Sequence, residues 1–169
     1  EAEQAFREFL RRYPNDRNNA EGLYAVARIE QSSGRTEQAI ATYGKLARRY
    51  PRGRLAYEAR WRVGWIGYQQ ERWRAAAEEF HRLAASGGGR KNTDAMYWQA
   101  RSLEKGGNAA AAATLYRQIL NQNSGSYYAT LAERRLGLPS VPGVAVETDR
   151  PFRIGEPPES AADDYPLGG

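Results

Sequence analysis

A chain of 169 residues with 41% hydrophobic side chains and a formal net charge of +5 is long enough to bury the core of one domain. It contains no cysteine, which excludes a disulfide framework, thiolate zinc sites and a cysteine nucleophile. No apolar run approaches the ~20 residues of a membrane span, and no signal peptide or lipidation motif is present.

In chain order, the first predicted element is a lone helix from Glu1 to about Tyr13, closed by Pro14. Starting without Met inside a helical pattern suggests a fragment or a processed product. A helix then runs from about Asn18 to Ser33 and stops at Gly34. Thr36 is placed to cap the next helix, which runs to about Tyr50 before Pro51. These two make a hairpin of helix A and helix B. A second hairpin spans about Arg54 to Gly89, with Glu71 where Gly34 stood and a break at Ser86-Gly87-Gly88-Gly89. A third spans about Asn92 to Gly125, turning at Gly106-Gly107 with Asn108 as a cap. An unpaired helix A, Tyr127 to Leu136, follows. From residue 137 onward six prolines and several glycines forbid a long helix, although Val144-Ala145-Val146 could form a short extended piece.

The elements share one period. Ala2, Ala39, Ala76 and Ala112 lie 37, 37 and 36 residues apart, and four residues after each comes Phe6, Tyr43, Phe80 or Tyr116. Ala27, Gly64 and Ala100 precede the last three alanines by twelve residues each. Small residues at both places let helix A and helix B approach closely, and the aromatics then fill the space between hairpins. No hairpin can cover its apolar face alone, so neighbours must stack. The predicted fold is all-α, a right-handed superhelix of about eight helices over residues 1–136, with an irregular Pro/Gly-rich tail at 137–169. The units run about 1–16 (partial), 17–53, 54–89, 90–126 and 127–136 (partial).

Charge divides at the same boundary. Residues 1–136 hold 23 Lys/Arg and 14 Asp/Glu, a net of +9; residues 137–169 hold two Arg and six acids, a net of −4. A basic body could attract nucleic acid, anionic lipid or a carboxylate polymer. Because the charges alternate with periodic apolar positions, solvated helix faces are the better reading. The paired-position code of helical RNA-reading repeats is absent, so no nucleic-acid partner is expected.

The unit resembles the tetratricopeptide repeat. Ala-x3-aromatic-x7-Pro occurs as Ala2, Phe6, Pro14 and as Ala39, Tyr43, Pro51, with Gly64 or an alanine at the small helix A position. The units run 36–37 residues against the usual 34, and the third lacks the closing proline. A narrower resemblance covers 94–138. Asp94 to Gly107 with its Tyr97-Trp98 pair, Ala109 to Ala113, Leu115-Tyr116, Leu120, Ser126-Tyr127-Tyr128-Ala129-Thr130-Leu131-Ala132 and Arg135-Leu136-Gly137 look like the superhelical region of soluble lytic murein transglycosylases, upstream of their catalytic domain. Those are periplasmic enzymes that cleave peptidoglycan glycan strands. The family's acid is a Glu followed by Ser, acting from a packed helix. Here the one Glu-Ser pair, Glu159-Ser160, lies in the tail with none of the downstream motif. The resemblance therefore implies a non-catalytic periplasmic scaffold region, with peptidoglycan or an envelope protein as partner. A second reading is a pure protein-interaction module, since periplasmic repeat proteins of outer-membrane assembly and Tol–Pal coordination also end hairpins in Tyr-Pro, as at Tyr13-Pro14 and Tyr50-Pro51.

In tetratricopeptide proteins helix A lines the concave surface. The resemblance puts groove positions three before, one after and four after the small residue. These are Tyr24, Arg28 and Gln31; Trp61, Trp65 and Tyr68; Tyr97, Arg101 and Glu104. Ring faces beside Arg could stack on sugars or grip a peptide, and Arg could pair with carboxylates bidentately; alternatively these aromatics pack between helices. No cofactor, metal or catalytic constellation is expected. His81 stands alone, and Glu78-Glu79 and Asp163-Asp164 read as surface charge. Gly87-Gly88-Gly89-Arg90-Lys91 lacks the Gly-Lys-Ser/Thr of a phosphate loop.

Overall fold

The structure, a computed structural model, describes residues 1–14, 16, 18–86, 92–122 and 125–138. Among them are eight helices: α1 (Ala2–Arg12), α2 (Asn19–Ser32), α3 (Thr36–Arg49), α4 (Arg54–Gln69), α5 (Trp73–Ala85), α6 (Thr93–Lys105), α7 (Ala109–Gln122) and α8 (Tyr127–Arg135). No strand occurs among the described residues, and none of the helices is long and apolar enough to cross a membrane. The segment 139–169, with Val144-Ala145-Val146, Glu159-Ser160 and Asp163-Asp164, lies outside the described residues, as do Gly87 to Lys91.

Every helix A ends in the same way. Gly34, Glu71, Gly107 and Gly137 all take positive φ, at 75°, 59°, 86° and 68°. The residue after each donates its N–H back to the orphan carbonyl of Glu30, Gly67, Leu103 and Glu133, at 2.8–3.0 Å. This is a Schellman close, satisfying carbonyls that the helix end leaves open. It also aims the chain into helix B. Glu71 is the one described non-glycine residue with positive φ, and a Cβ in that region costs about 1–2 kcal/mol. Glu71→Gly is expected to raise stability by about 1 kcal/mol despite glycine's extra unfolded entropy; a lower urea midpoint in the variant would contradict this.

Helix B starts differently from the sequence expectation in one place. Arg35, not Thr36, is the N-cap residue of α3, and the Thr36 hydroxyl donates to the Gly34 carbonyl at 3.5 Å. The Schellman turn already occupies the residues before α3, so Thr36 falls inside the helix. Asn108 does cap, its Oδ1 accepting the Ala111 N–H at 3.2 Å. Helix B ends where proline follows. Tyr13 and Tyr50 both sit at φ −126° with ψ near 60°, outside the α region that a following proline disfavours.

The small-residue columns are buried. Ala27, Ala39, Ala76 and Ala100 are fully covered, and Ala112 nearly so. At Gly64 an added Cβ would lie 3.0 Å from Phe80 Cε1, so the ring of α5 rests directly on the α4 backbone. Tyr43, Phe80 and Tyr116 are buried, and each meets helix A of its own hairpin, at Tyr24 and Gln31, at Trp61 and Gly64, and at Tyr97 and Glu104, rather than only the space between hairpins. Helices pack in chain order, each on the next. In addition α2 touches α4 and α6 touches α8, while no pair of B helices meets as extensively. The A helices therefore lie on the inner side of the stack.

Ion pairs tie hairpin to hairpin. Arg72 Nη2 reaches Glu37 at 2.6 Å, and Arg35 holds Glu3, which also accepts from Arg7 Nε at 2.9 Å. Arg7 in turn pairs with the buried carboxylate of Glu30. Hydrogen bonds from Arg35 and Arg7 hold the Glu3 carboxyl at about 2 against an ordinary 4.5. A carboxyl with a depressed folded value stabilises the fold above its unfolded value and loses that contribution as pH falls. Stability should therefore drop as pH is lowered from about 4.5 toward 2. In Glu3→Gln the acid limb of the stability–pH curve should flatten; an unchanged limb would remove Glu3 from the acid response.

Candidate binding groove on the A helices

Three rows of the inner face are counted back from each left-handed turn residue. Ten back stand Tyr24, Trp61 and Tyr97; six back, Arg28, Trp65 and Arg101; three back, Gln31, Tyr68 and Glu104. Spacings of three and four residues set them on one stripe of each helix.

The α2–α4 end is open and polar. Tyr24 is half-buried, its ring 5.7 Å from Tyr43, and its hydroxyl lies beside Glu58 and Arg62. Burial pushes its pKa up, with the Arg62 charge opposing. Arg28 is exposed. Gln31 Oε1 accepts the Tyr43 hydroxyl at 3.1 Å, and burial raises that phenol to about 12. Tyr43 is thus a neutral structural donor that orients Gln31.

The α4–α6 end is an aromatic wall. Trp61 is half-buried, stacked near Tyr57 at 6.3 Å and edge-on to Phe80 at 5.4 Å. Trp65 lies parallel to Tyr68 at 5.6 Å and meets Trp98 edge-on at 4.7 Å, leaving it 7% exposed. Tyr68 also meets Trp73 and Trp98, at 5.1 and 5.3 Å, and stays half-buried. Tyr97 is 1% exposed, within 6 Å of Trp98, Tyr116 and Tyr128. Arg101 is buried as well, its Nη1 2.9 Å from Glu104 Oε2, the oxygen that also accepts the Tyr116 hydroxyl at 2.9 Å. The pKa of Tyr116 is raised, first by burial and then by Glu104. Asp94 closes this end: burial raises its pKa, although Tyr57 donates to its Oδ2 at 3.0 Å.

The rows therefore separate. Tyr24, Arg28, Trp61 and Tyr68 keep accessible surface, whereas Trp65, Tyr97 and Arg101 sit inside the stack. Tyr127 was missed by the 36-residue count. It lies ten residues before Gly137, in the row of Tyr24, Trp61 and Tyr97, and is 45% exposed. The turn glycine is the signal that finds it, since the last two turns are 30 residues apart rather than 36. What this surface presents is contact chemistry: ring faces, guanidinium groups, hydroxyls and an amide, on a rigid helical scaffold.

The tetratricopeptide repeat profile matches residues 24–82 and 68–127, together well over half the chain. The chain belongs to the tetratricopeptide repeat family. None of the curated proteins matches it. Among solved structures it is similar to a tetratricopeptide repeat protein from Parabacteroides merdae, with a TM-score of 0.62 at 17% identity over 80% of this chain. It spans about half, 52%, of that protein's chain. It is also similar to MamA, with a TM-score of 0.57 at 21% identity, covering 80% of this chain and 77% of that one. For MamA from Desulfovibrio magneticus the TM-score is 0.55 at 14% identity, covering 80% and 76%. At these identities the likeness is one of fold. Tetratricopeptide stacks are protein-interaction modules, and proteins of stacked repeats bind along extended surfaces.

Proposed function

We propose that this tetratricopeptide domain holds an extended protein segment along its A helices, in contact with Tyr24, Arg28, Trp61, Tyr68 and Tyr127. The observation that carries the reading is that accessible rings stand on α2, α4 and α8, at Tyr24, Trp61, Tyr68 and Tyr127, with Arg28 and Arg62 on the first two of these helices, while Tyr97 of α6 is buried between them. Tyr, Trp and Arg supply large, rigid contact area, and such residues dominate binding energy at interfaces. A photo-crosslinking residue at position 61 or 127 should capture one defined partner, and the same residue on the B face at position 48 should not. Against that partner, Trp61→Ala with Tyr127→Ala should weaken binding at least ~30-fold at unchanged helicity. Equal capture from both faces would sink the reading.

A second proposal makes the domain the non-catalytic scaffold of a periplasmic peptidoglycan lytic transglycosylase. It is supported by the resemblance over 94–138, whose Tyr97-Trp98 and Tyr127-Tyr128 pairs come together at one α6–α8 junction. In this reading the rings stack on sugars of a glycan strand. Retention on purified sacculi that is lost in Trp61→Ala with Tyr127→Ala would support it. No retention, or a parent reading frame without a transglycosylase domain, would leave the protein-binding reading alone.

A further inference from the structure

The four residues Arg-Arg-Tyr-Pro occur twice, at Arg11 to Pro14 and at Arg48 to Pro51. Both copies adopt one geometry. Each tyrosine caps the end of its helix at φ −126°, with ψ 65° or 57°, and donates its N–H to the Phe9 or the Leu46 carbonyl. Each second arginine lies over that ring, Arg12 and Arg49 both 5.8 Å from the centroid. Arg49 also donates to the Pro14 carbonyl, which joins the end of α3 to the end of α1. Arg11, Arg12, Arg48, Arg49 and Arg52 therefore share one edge of the stack, and all five are exposed. On other faces arginines meet carboxylates, as Arg35 meets Glu3 and Arg72 meets Glu37. Among the described residues no carboxylate forms an ion pair with these five. The helix dipole favours a cation in a last turn but does not demand one. Helix α7 has none there, with Asn121-Gln122 at the positions of the arginine pairs.

The matching charge belongs to the same chain. Residues 154–169 hold Glu156, Glu159, Asp163 and Asp164 and no Lys or Arg. Asp163-Asp164-Tyr165-Pro166 is the Arg-Arg-Tyr-Pro sequence with its charge reversed. The two acid pairs, Glu156 with Glu159 and Asp163 with Asp164, are centred about six residues apart, roughly 20 Å of extended chain. From α1 to α3 are two helix steps, at most about 20 Å. The chain from Leu138 to Glu156 spans roughly 60 Å when extended, and five helix steps from α8 back to α3 are at most about 50 Å. Length and spacing therefore both allow the contact. We infer that the Arg-Arg-Tyr-Pro edge binds an acidic peptide segment, and that its occupant is this chain's own segment 156–164, one carboxylate pair on each arginine pair. The planar guanidinium matches a carboxylate bidentately. One exposed pair is weak, but four acids on one tethered segment act together. The edge is thereby closed to other polyanions until one outcompetes the segment. Lying within one chain, the contact adds no separate partner at position 48.

The chain has no cysteine, so Ser160→Cys carries a single nitroxide label in the full chain. The amide signals of Arg11 to Tyr13 and of Arg48 to Arg52 should lose at least half their intensity, to the same extent on dilution. The loss should disappear at ~0.5 M salt, where the screening length is about 4 Å. Arg11→Glu with Arg48→Glu should remove it at low salt. Adding Asp163→Arg with Asp164→Arg to that variant should bring it back, which no loss of folding could imitate. Signals at this edge that the label leaves unchanged overturn the inference, as does a loss indifferent to the charge reversals. A loss that fades on dilution also overturns it, since the segment would then reach a second copy. Where the label has no effect, retention of the native chain on phosphatidylserine vesicles, lost in Arg11→Glu with Arg48→Glu, would assign the edge to a lipid surface instead.

Discussion

Phe80→Ala should cost ~3–5 kcal/mol, the range for removing a large buried ring that its surroundings cannot refill. The ring has no exposed surface, lies edge-on to Trp61 at 5.4 Å, and rests on the backbone at Gly64. It is clustered with Trp65, Ala76, Leu83 and Ala95, so the loss is felt by α4, α5 and α6 together. A glycine-backed site has no side chain that could swing into the cavity. The control is internal: Phe6→Ala changes the same residue type at the same repeat position and should cost below ~1 kcal/mol, because that residue is 37% exposed and is not packed on every side. Chemical denaturation of both variants checks the pair. Similar losses would mean that the register relating α1 to α5 is wrong.

Tyr97→Ala should have a similar total cost, ~3–5 kcal/mol, but a different distribution along the chain. Tyr97 links α6 to both α7 and α8 through Tyr116 and Tyr128, at 5.8 and 5.5 Å. α8 is the terminal described helix and packs mainly on α7 and α6. In a stack each element is stabilised by its nearest neighbours, so the weakened end should open before the rest. Amide exchange in α8 should accelerate well beyond that in α2 to α4. Equal acceleration throughout would mean that the stack unfolds as one unit and that Tyr97 has no local role.

Much of the fold was legible because it rests on local rules. The alanine and aromatic columns, the Tyr-Pro helix ends and the left-handed turns at Gly34 and Gly107 each follow from a residue's own shape. Glu71 was placed at the turn by spacing alone, and its φ of 59° shows register overriding preference. The groove was less legible. Tyr24 and Tyr97 occupy the same row, yet one is half-buried and the other 1% exposed. Arg28 and Arg101 differ in the same sense, exposed against buried. The difference comes from the residues on the next helix A. Trp98 covers Trp65 and Tyr68, and Tyr128 covers Tyr97, whereas no ring of comparable reach from α4 covers Arg28.

By itself the sequence determined the family and the hairpin unit, because period and turn chemistry act within one or two turns of chain. The tertiary structure alone decided which residues of the A helices meet solvent. That depends on which side chains of the next A helix come to lie over each residue, Trp98 over Trp65 and Tyr68, and Tyr128 over Tyr97. Packing between elements sets this cover, and no local pattern encodes it.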